Sequence, residues 1–340
     1  MTVNQVNHNK EITIIVVTWN SKGFLPALFE SFQKQSFKDY QVIIVDNNSS
    51  DGTVEFIKEN YPQFRVWQNA ENTGFAKANN QAIKLASTPY LLICNPDIIL
   101  EPEFLSEILK TAQSNDKIGS AGGKLLRFPE NLKTLTDSDT IDSTGIVIFK
   151  NRRAIDRGEN EQDRGQYDRC EEVFGISGAL VLYSKSALER VAVNGEYFDE
   201  DFFAYKEDVD LAWRLKLAGY QSVYNPSARA YHRRAVARKT DLSDKGTITN
   251  RWGKTALANY LSYRNHLWML IKNEGYLRIF FHPVIWWYEL KKIIYLLFKE
   301  PNTRKALPEI VKQIPKMSQK RKRIKQIKSI KNQDLKKWFK

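Results

Sequence analysis

Three carboxylates, Glu207, Asp208 and Asp210, fall within four residues of the run Lys206–Arg214 (KEDVDLAWR). A fourth, Asp97, ends the apolar run Tyr90–Asp97 (YLLICNPD). One acid that holds a metal and another that takes a proton is the chemistry this pattern suggests. Mg²⁺ and Mn²⁺ are usually held by one or two carboxylates together with substrate phosphate oxygens. A general base needs a carboxylate presented from a fixed element, and KEDVDLAWR has the character of a helix start. Open α/β sheets bind their ligands at the carboxyl ends of buried parallel strands, where Asp97 would stand. The chain reads as an enzyme.

Each of these residues has a plainer account. A single Asp after a strand, such as Asp46 after QVIIV or Asp97 itself, often caps the next turn. Two of them, both leading into Asn/Ser/Pro turns, favour a ligand site, with Asp46 suited to the donors of a nucleotide base or ribose and Asp97 to a divalent cation. Acids in a first helical turn also complement the helix dipole. Against that stands Phe198–Tyr205 (FDEDFFAY) just upstream, an aromatic and acidic loop that is costly unless it contacts something. Asp208 or Glu207 could then serve as base, while Arg214 pairs with Asp210 at i,i+4. His232 precedes Arg233 and Arg234. A lone histidine is commonly structural, but if it reaches Asp97 it becomes a second metal ligand, and the arginines could hold a leaving diphosphate.

The elements that must position these groups alternate. Strands are expected at Ile12–Thr18, Gln41–Asp46, Arg65–Gln68 and Tyr90–Cys94, and helices near Leu25–Gln35, Thr53–Asn60, Phe75–Leu85 and Pro102–Ser114. β-Branched runs such as ITIIVVT suit strands buried on both faces. Repeated βα units mean a mostly parallel sheet with right-handed crossovers. Pro129–Glu172 is polar and reads as a long excursion, with Gly145–Phe149 a candidate strand. Beyond it, Phe174–Tyr183 is expected as a strand and Glu207–Ala218 as a helix. Gln221–Asn225 and Ala228–Tyr231 read as short strands, Val236–Gly253 as polar and mobile, and the chain after Lys254 as helical.

The 340 residues carry a net charge of +13, unevenly spread. The last fifty hold 17 Lys/Arg against 3 Asp/Glu, so the preceding 290 are close to neutral. Two cysteines, Cys94 and Cys170, are too few for a disulfide framework and fit a reducing, cytoplasmic setting. The opening MTVNQVNHNKE has no apolar leader, and nowhere do about 18 apolar residues run together as a spanning helix requires. After the first strand the sequence Thr18–Gly23 (TWNSKG) lacks both a Gly-x-Gly-x-x-Gly turn and a Gly-Lys-Ser/Thr loop. A dinucleotide oxidoreductase, a P-loop NTPase and a nucleotidyltransferase with a Gly-rich loop are therefore disfavoured.

The segments ITIIVVTWN, VIIVDNNSSDGT, NTGFAKANNQAI, LLICNPD, ISGALVLYSKSAL, FDEDFFAYKEDVDLAWRLKLAGY and AYHRRA occur in this order. Their series resembles the inverting family-2 glycosyltransferases, most closely a bacterial rhamnosyltransferase-like branch, over about residues 11–275. The resemblance implies an α/β, GT-A-type nucleotide-binding fold with a central, mostly parallel mixed sheet, and a cation-dependent transfer from a nucleotide sugar. It places Thr18, Asn20, Asp46 and Asn79 around the nucleotide. Asn95-Pro96-Asp97 stands where the family has its Asp-x-Asp motif, with Asp97 on the cation (Mg²⁺ or Mn²⁺) and Asn95 in place of the first acid. Asp208 matches the catalytic base, Glu207 beside it an acceptor contact, and His232 a metal ligand. Trp213, Arg214 and Arg233 are assigned to the acceptor or diphosphate.

On this reading residues 1–254 form the catalytic domain, with about 11–125 binding the donor and about 126–254 the acceptor. Residues 255–340 form a helical basic extension. Tyr276–Phe298 mixes aromatics with Arg278, Glu289, Lys291 and Lys292. Such a segment either packs on the catalytic body or lies at a membrane interface, where Trp286, Trp287 and Tyr288 suit the headgroup layer. Lys320–Lys340 would add attraction to anionic lipid. The expected partners are a nucleotide-sugar donor, a glycan or polyprenyl-diphosphate-linked acceptor and the inner face of the cell membrane. No nucleic acid is expected, because no zinc-finger or RNA-recognition signature accompanies the basic run. The contrary, non-enzymatic reading is a membrane-surface or nucleic-acid-binding protein on an inactive transferase fold.

Overall fold

The computed structural model describes residues 10–128, 139–233, 251, 253–274 and 282–340. Strands β1 (Ile12–Thr18), β2 (Tyr40–Asp46), β3 (Arg65–Gln68) and β4 (Tyr90–Cys94) alternate with helices α1 (Leu25–Gln33), α2 (Thr53–Asn60) and α3 (Gly74–Leu85). Then follow β5 (Ile98–Leu100), α4 (Phe104–Gln113) and β6 (Ile118–Arg127). The excursion supplies four three-residue strands: β7 (Ile141–Ser143), β8 (Ile146–Ile148), β9 (Ala154–Asp156) and β10 (Glu171–Val173). After it come β11 (Leu180–Ser184), α5 (Lys185–Val191), α6 (Glu207–Leu217) and β12 (Gln221–His232). Helices α7 (Ala256–Asn273), α8 (Pro283–Lys299), α9 (Pro301–Arg304), α10 (Ala306–Ile327) and α11 (Asn332–Lys336) complete the chain.

The main sheet runs β10-β12-β6-β11-β4-β1-β2-β3, with β5 beside β12 and β7 beside β6. The pairs of β1 with β2 and β4, β2 with β3, and β6 with β12 are parallel, whereas β11 runs antiparallel to both its neighbours. The sheet is mixed, as expected. Alternation along β1 assigns its two faces. Ile12, Ile14 and Val16 join Leu28, Phe29, Phe32, Leu105 and Ile108 on the side of α1 and α4, while Ile15 joins Ala78, Ala82, Leu211 and Leu215 on the side of α3 and α6. The expected bounds of β1, α2, β3 and β4 agree with the structure.

Two expectations change. Phe174–Tyr183 is not one strand: pairing with β4 starts only at Leu180, and Ser177–Gly178 form part of a cavity wall. The two short strands expected between Gln221 and Tyr231 are a single one, with a register shift between Asn225 and Arg229 around Pro226. Proline has no amide hydrogen for the ladder, so a bulge there is what its chemistry requires. Of the excursion, residues 129–138 lie outside the described residues, as do 234–250 and 252, which include most of Val236–Gly253, and 275–281.

Helix α6 is covered on both sides, ten of its eleven residues being buried. One face meets the sheet. The other shares a hydrophobic cluster with the C-terminal helices, in which Val209, Ala212 and Trp213 join Met269, Leu270, Ile285, Leu296, Met317 and Ile324. Truncation of a buried aromatic such as Trp213 costs about 3–5 kcal/mol. The C-terminal helices thus pack on the element that carries the catalytic candidates.

Candidate active site

One strand pairing and a backbone hydrogen bond beyond it bring Asp97 and His232 together. β5 starts one residue after Asp97 and pairs with the end of β12, setting Ile98 opposite His232. The Arg233 amide then donates to the Asp97 carbonyl at 2.9 Å. In consequence His232 Nε2 lies 3.3 Å from Asp97 Oδ1, while its Nδ1 lies 2.8 Å from Asp142 Oδ2. Asp142 arrives by a separate pairing, because β7 runs along the opposite edge of β6 from β12. Burial alone would lower the His232 pKa, but its hydrogen bonds to Asp142 and Asp97 and their charges outweigh it and lift it to about 9.

Asp208 and Glu207 open α6 beside a cavity of about 530 Å³, whose wall also includes Asn95, Gly178, Tyr205 and His232. Asp208 Oδ2 accepts from the Gly178 amide at 3.1 Å and its Oδ1 from the Val209 amide at 2.7 Å. Gly178 permits this approach, since a β-carbon there would stand 3.1 Å from the Asp208 Cβ. Burial raises the Asp208 pKa and the Gly178 amide opposes it. Glu207 is more enclosed, and its Oε2 is buried without a hydrogen-bond partner among the described residues. Burial, then the adjacent Asp208 charge, push it up to about 8. Neighbouring carboxyls with different environments divide the roles of proton holder and ion between them. Asp208, with two amide donors, is the member built to ionise, while burial and the Asp208 charge favour the neutral form of Glu207.

At the far end of the sheet, Asp46 accepts from Thr18 Oγ1 at 2.8 Å and from the Ser49 amide at 2.9 Å. Asn20, at φ 51°, accepts from the Ser50 amide through its Oδ1 at 2.8 Å. Thr18, Asn20 and Asp46 therefore knit one loop at the ends of β1 and β2. Thr18 and Asp46 are themselves fully buried, so in this structure they shape that loop and Asn20 is the exposed member. Asn79 shares no hydrogen bond with them among the described residues. It is fully buried within α3, and its Nδ2 donates to the Phe75 carbonyl at 2.9 Å.

Trp213 and Arg214 depart from the acceptor and diphosphate roles expected of them. Trp213 is fully buried against Phe174 and Phe339. Arg214 turns to Asp210 at 3.0 Å, as its i,i+4 spacing suggests, and to the Val191 carbonyl at 2.8 Å. The physical reason is the double covering of α6, which leaves only its N-terminus facing the cavity. Arg233 does stand at the Asp97 edge, its guanidinium 6.0 Å from the Phe24 ring and 5.8 Å from that of Phe128. Arg234 lies outside the described residues. Asp142 and the cavity walls from the C-terminal helices (Tyr263, His266, Tyr288 and Lys292) were not among the candidates read from the sequence.

Comparison with known proteins converges on one family. The model for glycosyl transferase family 2 matches residues 13–192, and that for glycosyl transferase family group 2 matches residues 149–299. The chain is 27% identical over 241 residues to the N-acetylglucosaminyl-diphospho-decaprenol L-rhamnosyltransferase of Mycobacterium tuberculosis, covering 66% of this chain and 76% of that protein. It is also 27% identical over 229 residues to the poly-beta-1,6-N-acetyl-D-glucosamine synthase of Staphylococcus aureus, of which the match spans 50%. Among solved structures, GalNAc-T7 with UDP, GalNAc and Mn²⁺ superposes at a TM-score of 0.62 and 13% identity, over 93% of this chain and 55% of that one. The mixed sheet has the GT-A arrangement, and the chain belongs to glycosyl transferase family 2.

Proposed function

We propose that this glycosyltransferase moves a sugar from a nucleotide donor to a hydroxyl of a glycan or lipid-linked acceptor, with inversion and with a divalent cation. The observation that carries the reading is the meeting of two differently built pairs at one cavity. One is the Asp97–His232 pair, with Asp142 behind it, and the other is Asp208 held by two amides beside the buried Glu207.

The cation reading fits the donor set. Among the described residues no cluster of three metal-ligating side chains occurs, so the protein would contribute Asp97 and His232, and diphosphate and water oxygens the remainder. A carboxylate on the far nitrogen of a ligating histidine is the usual arrangement of such sites, and Asp142 occupies that position. When bound, the cation would offset charge on the departing diphosphate. Arg233, at the same edge, adds a fixed positive charge. Asp208 takes the proton of the acceptor hydroxyl, whose oxygen attacks the anomeric carbon opposite the leaving group. Inversion in a single displacement needs no protein nucleophile. The sugar–phosphate bond breaks with oxocarbenium character, so the placement of the acceptor against Asp208 contributes alongside the base itself.

The rhamnosyltransferase relative makes dTDP-rhamnose the first donor to test and a diphospho-polyprenol-linked glycan the first acceptor, in cell-surface polysaccharide synthesis. UDP- or GDP-linked sugars are the alternative donors; the second relative is a poly-N-acetylglucosamine synthase. Residues 1–254 are proposed as the catalytic part and 255–340 as a helical extension. No helix among the described residues is long and apolar enough to cross a membrane. Helix α8 nonetheless exposes Trp286, Trp287, Ile294, Leu297 and Phe298. We assign that face, with the basic C-terminal run, to the surface of an anionic membrane.

Incubation with a panel of dTDP-, UDP- and GDP-sugars and candidate acceptors, with and without Mn²⁺, tests the reading through nucleoside diphosphate release. Cation-dependent release from one donor supports it, and the absence of any cation-dependent nucleotide-sugar binding removes it.

A further inference from the structure

The residues that lead into α6 are held in conformations they do not choose. Phe203 has φ 64° and ψ −66°, and the Ala204 amide donates to the Phe202 carbonyl at 2.7 Å. This is the rarer, strained form of the γ-turn. Tyr205 at φ 72° and Lys206 at φ 73° continue in the left-handed region. Three of the four residues that precede Glu207, none of them glycine, thus have positive φ. Strain of about 1–3 kcal/mol per residue persists only where the surroundings over-determine it.

Those surroundings come from the C-terminal extension. Asn265, fully buried on α7, points its Nδ2 at the carbonyls of Phe202, Ala204 and Tyr205, each at 2.8 Å. Three carbonyl partners identify that atom as the nitrogen, since the amide oxygen would be repelled there. Arg264 Nη2 donates to the carbonyls of Asp201 at 2.9 Å and Phe202 at 3.2 Å. One turn pair further along the same helix, Lys272 binds Asp199 at one end of the strained segment and Asp210, at 2.9 Å, beyond the other. From the donor half, the Ala76 amide donates to the Phe203 carbonyl at 3.1 Å, and the Phe203 ring lies where a β-carbon on Gly74 would stand.

We propose that Asn265 is a positioning residue for the transfer: it fixes the strained turn that aims Asp208 and Tyr205 into the cavity, which makes α7 part of the catalytic machinery. The proposal rests on the reading of Asp208 as the base. Without the Asn265 amide, the Ala204 and Tyr205 carbonyls lose this donor, the Phe202 carbonyl keeps only the Ala204 amide and Arg264, and the turn relaxes toward ordinary backbone, displacing the start of α6. Misplacement of a reacting group by about 1 Å is enough for a 10²-fold loss.

The test compares Asn265→Ala, Asn265→Ser and Leu270→Ala in the full chain. Leu270 is a buried residue of the same helix that shares a hydrophobic cluster with Phe202 and Val209 but offers no hydrogen bond to the turn carbonyls, and it serves as a control for stability. Two readouts are taken: hydrogen exchange of peptides covering residues 200–210, and turnover with the active donor of the panel. Asn265→Ala is expected to speed exchange in that segment and lower kcat by about 10²-fold, with binding of the nucleotide sugar within about twofold. Leu270→Ala loses melting temperature without either change. Should Asn265→Ala not fold, Asn265→Ser, which keeps a donor, is read in its place. Unchanged exchange and kcat in the folded Asn265 variant, or equal losses in Leu270→Ala, overturn the proposal. An Asp208→Ala variant runs alongside: full activity there defeats the reading of the base, whereas an inactive Asp208→Ala with a fully active Asn265 variant defeats the positioning role alone.

Discussion

Asp142 Oδ2 lies 2.8 Å from His232 Nδ1, and this contact leaves the opposite nitrogen of the ring facing Asp97. Asp142 is buried and comes from the three-residue β7, whose pairing with β6 brings it to the end of β12. The contact fixes both the orientation of the ring and the nitrogen available to a cation.

Asp142→Ala should therefore weaken cation use without touching Asp97. Removal of such an outer carboxylate typically lowers metal affinity about 10–100-fold. The Mn²⁺ concentration for half-maximal turnover is expected to rise by that factor, while saturating Mn²⁺ restores most of the rate. A Mn²⁺ response identical to that of the unaltered protein would exclude this role for Asp142.

Glu207 predicts a pH dependence of stability. Its carboxyl is raised to about 8 by burial and the Asp208 charge, against about 4.3 in an unfolded chain. Between those values the folded state holds a proton that the unfolded state has released, so stability falls as pH rises. The contribution is fully present below about pH 4.3 and is lost as pH rises through about 8. Glu207→Gln should flatten the melting-temperature profile from pH 5 to 9, and parallel profiles for the two proteins would show that Glu207 is ionised throughout.

The exposed face of α8 gives a third expectation. Trp286 and Trp287 are 43% and 57% exposed. Trp286→Ala and Trp287→Ala together should reduce sedimentation with vesicles of anionic phospholipid and leave turnover on a water-soluble acceptor unchanged. Binding to neutral vesicles as strong as to anionic ones would show that the basic C-terminal run has no part in it.

Much of this arrangement is legible in the sequence because several signals agree. β-Branched runs such as ITIIVVT mark strands buried on both faces, and the acids at their ends mark the edge where the site lies. Asp97 stands out in this way, whereas Asp208 stands out through the acidic helix start KEDVDLAWR, and His232 through the arginines beside it and the family resemblance. Asp142 is not, because Ile141–Ser143 is too short to carry a period and matters only through its place beside β6. Asn265 is equally silent: a polar residue in a helical pattern reads as solvated until α7 is seen packed over the strained turn. Trp213 and Arg214 mislead for the opposite reason. They adjoin the candidate acids in sequence, but at 3.6 residues per turn they point elsewhere, and both faces of α6 are covered.

The central claim is that Asp208 accepts the proton while Asp97 serves the cation. The direct measurement is initial transfer rate and nucleotide-sugar affinity, across a Mn²⁺ titration, for the unaltered protein, Asp97→Ala and Asp208→Ala. Both variants are expected to lose transfer, Asp208→Ala by about 10²–10⁴-fold, and only Asp97→Ala should lose the cation dependence of donor binding. Transfer retained by Asp208→Ala, or Mn²⁺-dependent donor binding undiminished in Asp97→Ala, would contradict the account.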